Sequence, residues 1–234
     1  MPKICFRAVL FLLFFLIFLL PSSQFVSLNH QFRIDLNKLL KKILPPTTRV
    51  LTQKEEFLLA VVLTETLKVK VSACLEGQRL NHQWGTIGLE QYLPRYPGDT
   101  VYDREFPRAG ITPKPGAWGY FVSSASHLTE DIISKEKYYV AVQTLYLPDW
   151  INRARYLKNW YKYRKMIVIN PETGRAVVAV VADAGPAKWT GKQFGGSPQV
   201  MFDLGFYPKH TKGKVLVLFI DDPDDKIPLG PIQP

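Results

Sequence analysis

The run KMIVINPETGRAVVAVVAD, residues 165–183, constrains the fold more than any other part of the chain. Two apolar stretches rich in β-branched residues flank Pro-Glu-Thr-Gly, a four-residue loop that suits a hairpin and would stop a helix. The second stretch reads as a buried strand, yet it ends on a carboxylate, Asp183, followed at once by Ala-Gly-Pro. Similar short runs occur at WGYFV (118–122), KYYVAVQTLYL (137–147) and GKVLVLFID (213–221), divided by Gly and Pro turns. This pattern predicts a mainly β domain, either a small barrel or a sandwich.

The first residues set a different constraint. Lys3 and Arg7 precede thirteen uninterrupted apolar residues, Ala8 to Leu20, the layout of an export signal. Counted from Ile4 and through Arg7 the segment also reaches the lower limit for a membrane helix, so signal peptide and N-terminal anchor both fit. PSSQFVS, which follows, has small residues but no A-x-A-like pair, and this favours an uncleaved anchor over 1–22 with the rest outside the cytoplasmic membrane. Of the two cysteines, Cys5 lies in this segment, which leaves Cys74 without an internal partner. Cys74, between Ala73 and Leu75, reads as a small buried residue. The four histidines have no ligand-type spacing with one another or with a cysteine, so no metal site is expected.

Between anchor and β region, residues 23–74 read as a helical spacer. Phe32, Ile34, Leu36, Leu39, Leu40, Ile43 and Leu44 recur near helical spacing up to Pro45 and Pro46. A second helix is expected over about 53–68, because Thr52 stands three residues before Glu55 in a capping box. Residues 75–115, rich in Gly, Pro and aromatics, suit an ordered irregular wrap. The segment DWINRARYLKNWYKYRK (149–165) carries Arg153, Arg155, Lys158, Lys162 and interleaved aromatics, with no acid between Asp149 and Glu172. With a net charge of +10 it suits either a solvated helix or contact with an anionic lipid or wall polymer. An exported chain does not meet nucleic acid, which is excluded as a partner. The acidic run DDPDD (221–225) lacks calcium-loop spacing and opens a solvated tail over 223–234.

For chemistry, two carboxylates stand out. Asp183 ends a strand beside Gly185, where little side-chain bulk blocks a polymer, and Asp203 follows in MFDLG after the Gly-rich KQFGGSPQ. Taken alone, an Asp before Ala-Gly-Pro is an ordinary turn residue. Paired carboxylates in a groove are also the machinery for breaking glycosidic bonds. Trp118, Tyr120 and Trp189 lie near these positions in sequence and offer flat faces for sugar rings, or packing surfaces.

NPETGRAVVAVVADAGPAKWTG followed by MFDLG resembles the core of the RlpA-like double-psi β-barrel group, related in fold to expansins and barwin-type proteins. Asn170, Gly174, Asp183, Gly185 and Pro186 match its hairpin and Asp-x-Gly-Pro element, Asp203 and Leu204 match its Asp-Leu-Ser element, and GAWGYF (116–121) is similar to its first strand. The resemblance spans roughly 116–221 and departs from the group at Ala184, where Arg is common, and at Gly205, where Ser is. It implies a six-stranded double-psi barrel over 116–222 with one or two additional helices. It also implies a groove for peptidoglycan, for which Trp118, Tyr120, Gly185 and Trp189 are the candidate contacts. In catalytic members an Asp drives lytic transglycosylase cleavage without metal or cofactor, here Asp203 as acid/base with Asp183 organising the groove. The alternatives are a non-catalytic glycan-binding or scaffolding module and an envelope protein that contacts lipid or a partner through 153–165.

Overall fold

A computed structural model of the chain describes residues 36–232; the expected signal peptide or anchor over 1–22 lies outside them, as does the start of the first expected helix. Helix α1 (Leu36–Ile43) is followed by α2 (Gln53–Leu67), whose start is the expected capping box. Thr52 accepts from the Glu55 amide, and Glu55 accepts from the Thr52 amide at 2.8 Å. Leu59, Leu63 and Leu67 of α2 and Leu36 and Leu40 of α1 share one buried cluster with the outer face of the sheet. The helices expected as a spacer are therefore packed onto the domain itself.

Three short strands, β1 (Val71–Ser72), β2 (Cys74–Leu75) and β3 (Gln78–Arg79), lead to β4 (Trp84–Leu89). After a long irregular stretch come α3 (Glu130–Lys137), β5 (Tyr139–Val142), α4 (Trp150–Tyr161), β6 (Lys165–Ile169), β7 (Ala176–Asp183), β8 (Phe194–Gly196), α5 (Pro198–Asp203), β9 (Lys212–Ile220) and β10 (Gly230–Ile232). Strands β4, β9, β6, β7, β5 and β8 each pair with the next, and β8 pairs back with β4 to close a six-stranded mixed barrel. Two of its pairings, β4 with β8 and β5 with β7, are parallel. The architecture is mainly β with five α-helices among the described residues, more helix than one or two.

Alternation along the strands separates two cores. Val177, Ala179 and Val181 of β7 face the barrel interior with Met166, Val168, Val217 and Phe219, whereas Ala176 and Val178 face outward under α1 and α2. Leu157, Trp160 and Tyr161 of α4 and Met201 and Leu204 of α5 complete the interior cluster. The predicted hairpin is present: Asn170 accepts from the Gly174 amide at 2.9 Å, and Gly174 takes φ 75°, a left-handed conformation that a side chain disfavours. The Asn170 side chain accepts from the Glu172 amide and donates to the Leu204 carbonyl at 2.9 Å, tying the turn to the end of α5.

Three expectations are corrected, and a fourth is met with one difference. The first barrel strand is Trp84–Leu89, inside the stretch read as a wrap, while GAWGYF forms a turn bridged between Gly116 and Gly119. The tail returns to the sheet as β10, paired with β7, and Asp222 accepts from the amides of Lys226 and Ile227 on the way. Cys74 is exposed, because it starts a two-stranded ribbon on the surface and not a core strand. The basic segment is helical over α4 but kinked at Arg153.

Residues 90–129 wrap the opposite side of the barrel from α1 and α2, and buried ions hold them there. Arg95 and Arg104 both reach Asp99, at 3.0 and 2.8 Å, and Arg104 Nε lies 3.1 Å from Glu136 of α3. Leu93 donates its amide to the same carboxylate at 3.2 Å. Burial alone would raise Asp99, but hydrogen bonds from Arg95 and Arg104 hold it down at about 2; burial dominates at Glu136 and pushes it up to about 7. The signs give opposite windows. Asp99 adds stability that is lost as pH falls through its lowered value. Glu136, with its folded pKa above the ordinary 4.5, favours the fold most at low pH and loses that contribution as pH rises toward 7. Denaturant midpoints measured at about pH 5 and about pH 7 are expected to fall with rising pH, and Glu136→Gln is expected to flatten that slope.

Candidate functional site

The site grows out of a register shift. β5 and β7 pair Val140 with Val181 and then Ala141 with Asp183, so one extra residue of β7 is absorbed just before its end. Ala141 also pairs with Gly195 of β8, and Gly195 pairs with Gly88 of β4. Asp183, Ala141, Gly195 and Gly88 thus form one row across four strands, with no side chain larger than a methyl after the Asp. At one strand spacing per step, Asp183 and Gly195 are roughly 10 Å apart.

The glycines are there because other side chains lie over them. A Cβ on Gly195 would stand 2.7 Å from Cδ of Glu90, and one on Gly88 would stand 3.0 Å from Nζ of Lys192. Glu90 and Lys192 cross above the parallel pair and meet, Nζ to Oε1, at 3.1 Å. Glycine inside a strand is the usual mark of such an approach. WGTIGLE and KQFGG carried this signal in the sequence, but a glycine does not say which side chain will cover it, so Glu90 and Lys192 escaped notice.

The negative charge of Asp183 is felt at Glu90. Burial pushes the Glu90 carboxyl above its ordinary value; Lys192 pulls it down, and the negative charge of Asp183 pushes it up again. Below them Tyr139 is wholly buried, donates to the Gln91 carbonyl, and is raised well above an ordinary phenol by burial and then by Glu90 and Asp183. Asp183 itself accepts through Oδ1 from two backbone amides, Ala117 at 2.8 Å and Ala184 at 2.9 Å. It both closes the turn after β7 and pins the Gly-Ala-Trp loop against the barrel.

Asp203 stands elsewhere. MFDLG forms the last turn of α5 and its stop: the Phe206 amide returns to the Met201 carbonyl at 2.9 Å, and Gly205 adopts φ 83°. That left-handed position accounts for Gly where the resemblance would place Ser. Burial raises the Asp203 carboxyl, and its partners are Gln199, Lys137, Glu105 and Tyr138, none of which touches Asp183. Asp183 and Asp203 share no hydrogen-bond partner, whereas the charge of Asp183 acts on Glu90.

The aromatics divide. Trp118 is half-buried and donates its indole N–H to the Lys158 carbonyl of α4 at 2.6 Å, so it fastens the loop to the helix. Tyr120 is 40% exposed, and Trp189 is 87% exposed in the turn Lys188–Thr190. Gln143 donates to the carbonyls of Pro186 and Lys192, at 2.9 and 3.0 Å, and clamps the loop carrying Trp189 at both ends. Beside it Gly185 has nothing within 4 Å of where a Cβ would stand, which leaves the backbone open. On α4, Arg153, Arg155, Lys158 and Lys162 are exposed, with Arg153 paired to Asp149 and lying over Tyr156. Among the described residues no His, Cys, Asp and Glu group has a metal-holding arrangement. No family model matches the chain, and no curated protein matches it in sequence.

Gly195→Ala tests the geometry. The flexible end of Glu90 must move while the backbone stays, so the protein is expected to fold, the Glu90–Lys192 pair to open, and the Glu90 pKa to fall as its carboxyl enters water. Carboxyl-carbon NMR titration of wild type and variant measures this.

Proposed function

We propose that this chain is an envelope protein of the RlpA-like double-psi type that binds cell-wall glycan along the Asp183–Gly88 row and cleaves it. The closed mixed barrel with two parallel pairs supports the fold reading. One observation carries the functional reading: a carboxyl raised by burial, Glu90, lies within range of the negative Asp183 over a floor of Ala and Gly. Glu90 and Lys192 cover Gly195 and Gly88, so an extended sugar polymer would lie across these two side chains, between Asp183 and the exposed Trp189.

In the transglycosylase route, protonated Glu90 gives its proton to the glycosidic oxygen as the bond to C1 breaks. The 6-hydroxyl of the muramyl residue then bonds to C1, and its proton returns to Glu90, leaving a 1,6-anhydro end and consuming no water. Asp183, held by two amides, orders the rim and steadies positive charge developing at C1. Glu90 replaces Asp203 as the acid/base. The exposed cations of α4 favour contact with anionic wall polymer, and the apolar sequence at 8–20 supports a location outside the cytoplasmic membrane.

One observation favours a second reading, binding without cleavage: Oδ1 of Asp183 is already committed to two amides. Incubation with purified peptidoglycan, scored for anhydro-muramyl ends by mass and for pelleting, separates the two. Anhydro ends are expected, with Glu90→Gln lowering their rate by about two to four orders of magnitude while pelleting persists. Trp189→Ala is expected to weaken pelleting about tenfold. Pelleting without product in the wild type would leave the binder, and neither would end both. A general acid works only while protonated, so activity falls as pH rises through the Glu90 pKa. Lys192→Met removes the cation that lowers this value and is expected to move the alkaline limb to higher pH.

A further inference from the structure

Helix α2 is apolar on two faces, and the domain uses only one. Leu59, Leu63 and Leu67 are buried against the barrel, whereas Phe57 is 72% exposed and Leu58 and Val61 are each 45% exposed. At 100° per residue these three and the exposed Lys54 fall within one sector of the helix, and the exposed Lys68 follows as its left-handed C-cap. Glu65 is the acid in that sector, paired with Lys68 at 3.4 Å. An aromatic and two aliphatic side chains between lysines make the pattern of a helix lying in a lipid–water interface.

Two further facts identify the occupant. Residues 36–70 hold seven cations against three acids, and although Lys41 and Lys70 pair with Glu172 and Asp221 the remaining charge is positive, which suits anionic headgroups. The apolar run Ala8–Leu20 ends fifteen residues before α1, and fifteen residues span at most about 50 Å, so a chain anchored there keeps α1 and α2 close to the bilayer. We infer that the Phe57–Leu58–Val61 face of α2 docks on an anionic lipid bilayer. This rests on the reading of 1–22 as a membrane anchor. The opposite face of α2 packs over β9 and β6, whereas the candidate site crosses β5 and β8 on the other side of the barrel. Docking through α2 therefore turns Asp183, Glu90 and Trp189 away from the membrane, toward the wall.

The test uses the full chain with Cys5→Ser and Cys74→Ser, and one new cysteine at Leu58 or, as control on the wrap, at Tyr102. Each is labelled with an environment-sensitive fluorophore and floated with phosphatidylglycerol/phosphatidylcholine vesicles or with phosphatidylcholine alone. With anionic vesicles the label at 58 is expected to shift to the blue and lose emission to a spin-labelled lipid, while the label at 102 does neither. Phe57→Ser with Val61→Ser should abolish both effects at 58 without stopping flotation. Flotation with the label at 58 still in water overturns the docking and leaves the anchor standing. Failure to float overturns both. A blue shift at 58 that grows with protein concentration without vesicles assigns the face to a second copy of the chain and overturns the lipid. Equal signals on both vesicle types overturn the role of the anionic headgroups.

Discussion

The parallel pairing of β4 with β8 is the contact on which the rest of this molecule depends. β8 is three residues long, Phe194 to Gly196, and it alone joins β4 to β5 and so closes the barrel. Two of those residues are glycine, which cost conformational entropy on folding and pack nothing of their own. What they provide is room. Gly196 lets Ile87 and Met201 approach from the interior, and Gly195 lets Glu90 cross outside, so one short strand serves the core and the candidate site together.

The two sides of that strand obey different physics. Inside, the gain is burial of aliphatic surface, and the requirement is shape. Outside, a carboxylate and an ammonium lie half-desolvated on bare backbone, and their pairing at 3.1 Å compensates only part of what each loses in leaving water. The unpaid remainder appears as a raised Glu90. A site that holds a carboxyl above its ordinary pKa is held in place by the strands beneath it, and is itself little help to their stability.

How much of this could be read from the chain follows the range of the forces involved. α2 was legible because its capping box and apolar spacing are local, and the Asn170–Gly174 hairpin was legible for the same reason. The mainly β barrel followed from the density of short apolar runs. β4 was missed because WGTIGL is glycine-rich and only half apolar, and it becomes a strand by pairing with β9, some 125 residues later in sequence. That Asp203 falls at a helix end was not legible, because similarity at MFDLG fixes residue types but not the element that carries them. Asp183 was found at the end of its strand, yet its neighbour Glu90 lies across two strands and could be located only once the register was known.

Gln143 has one more consequence. By holding Pro186 and Lys192 with the same amide group, it makes the loop between them a rigid bracket, although Trp189 at its tip is almost bare to solvent. The ordering that an exposed loop would otherwise undergo on meeting a ligand has already taken place during folding. An indole presented in this way loses little freedom when a flat surface settles on it, so even a weak stacking contact is retained nearly whole as affinity.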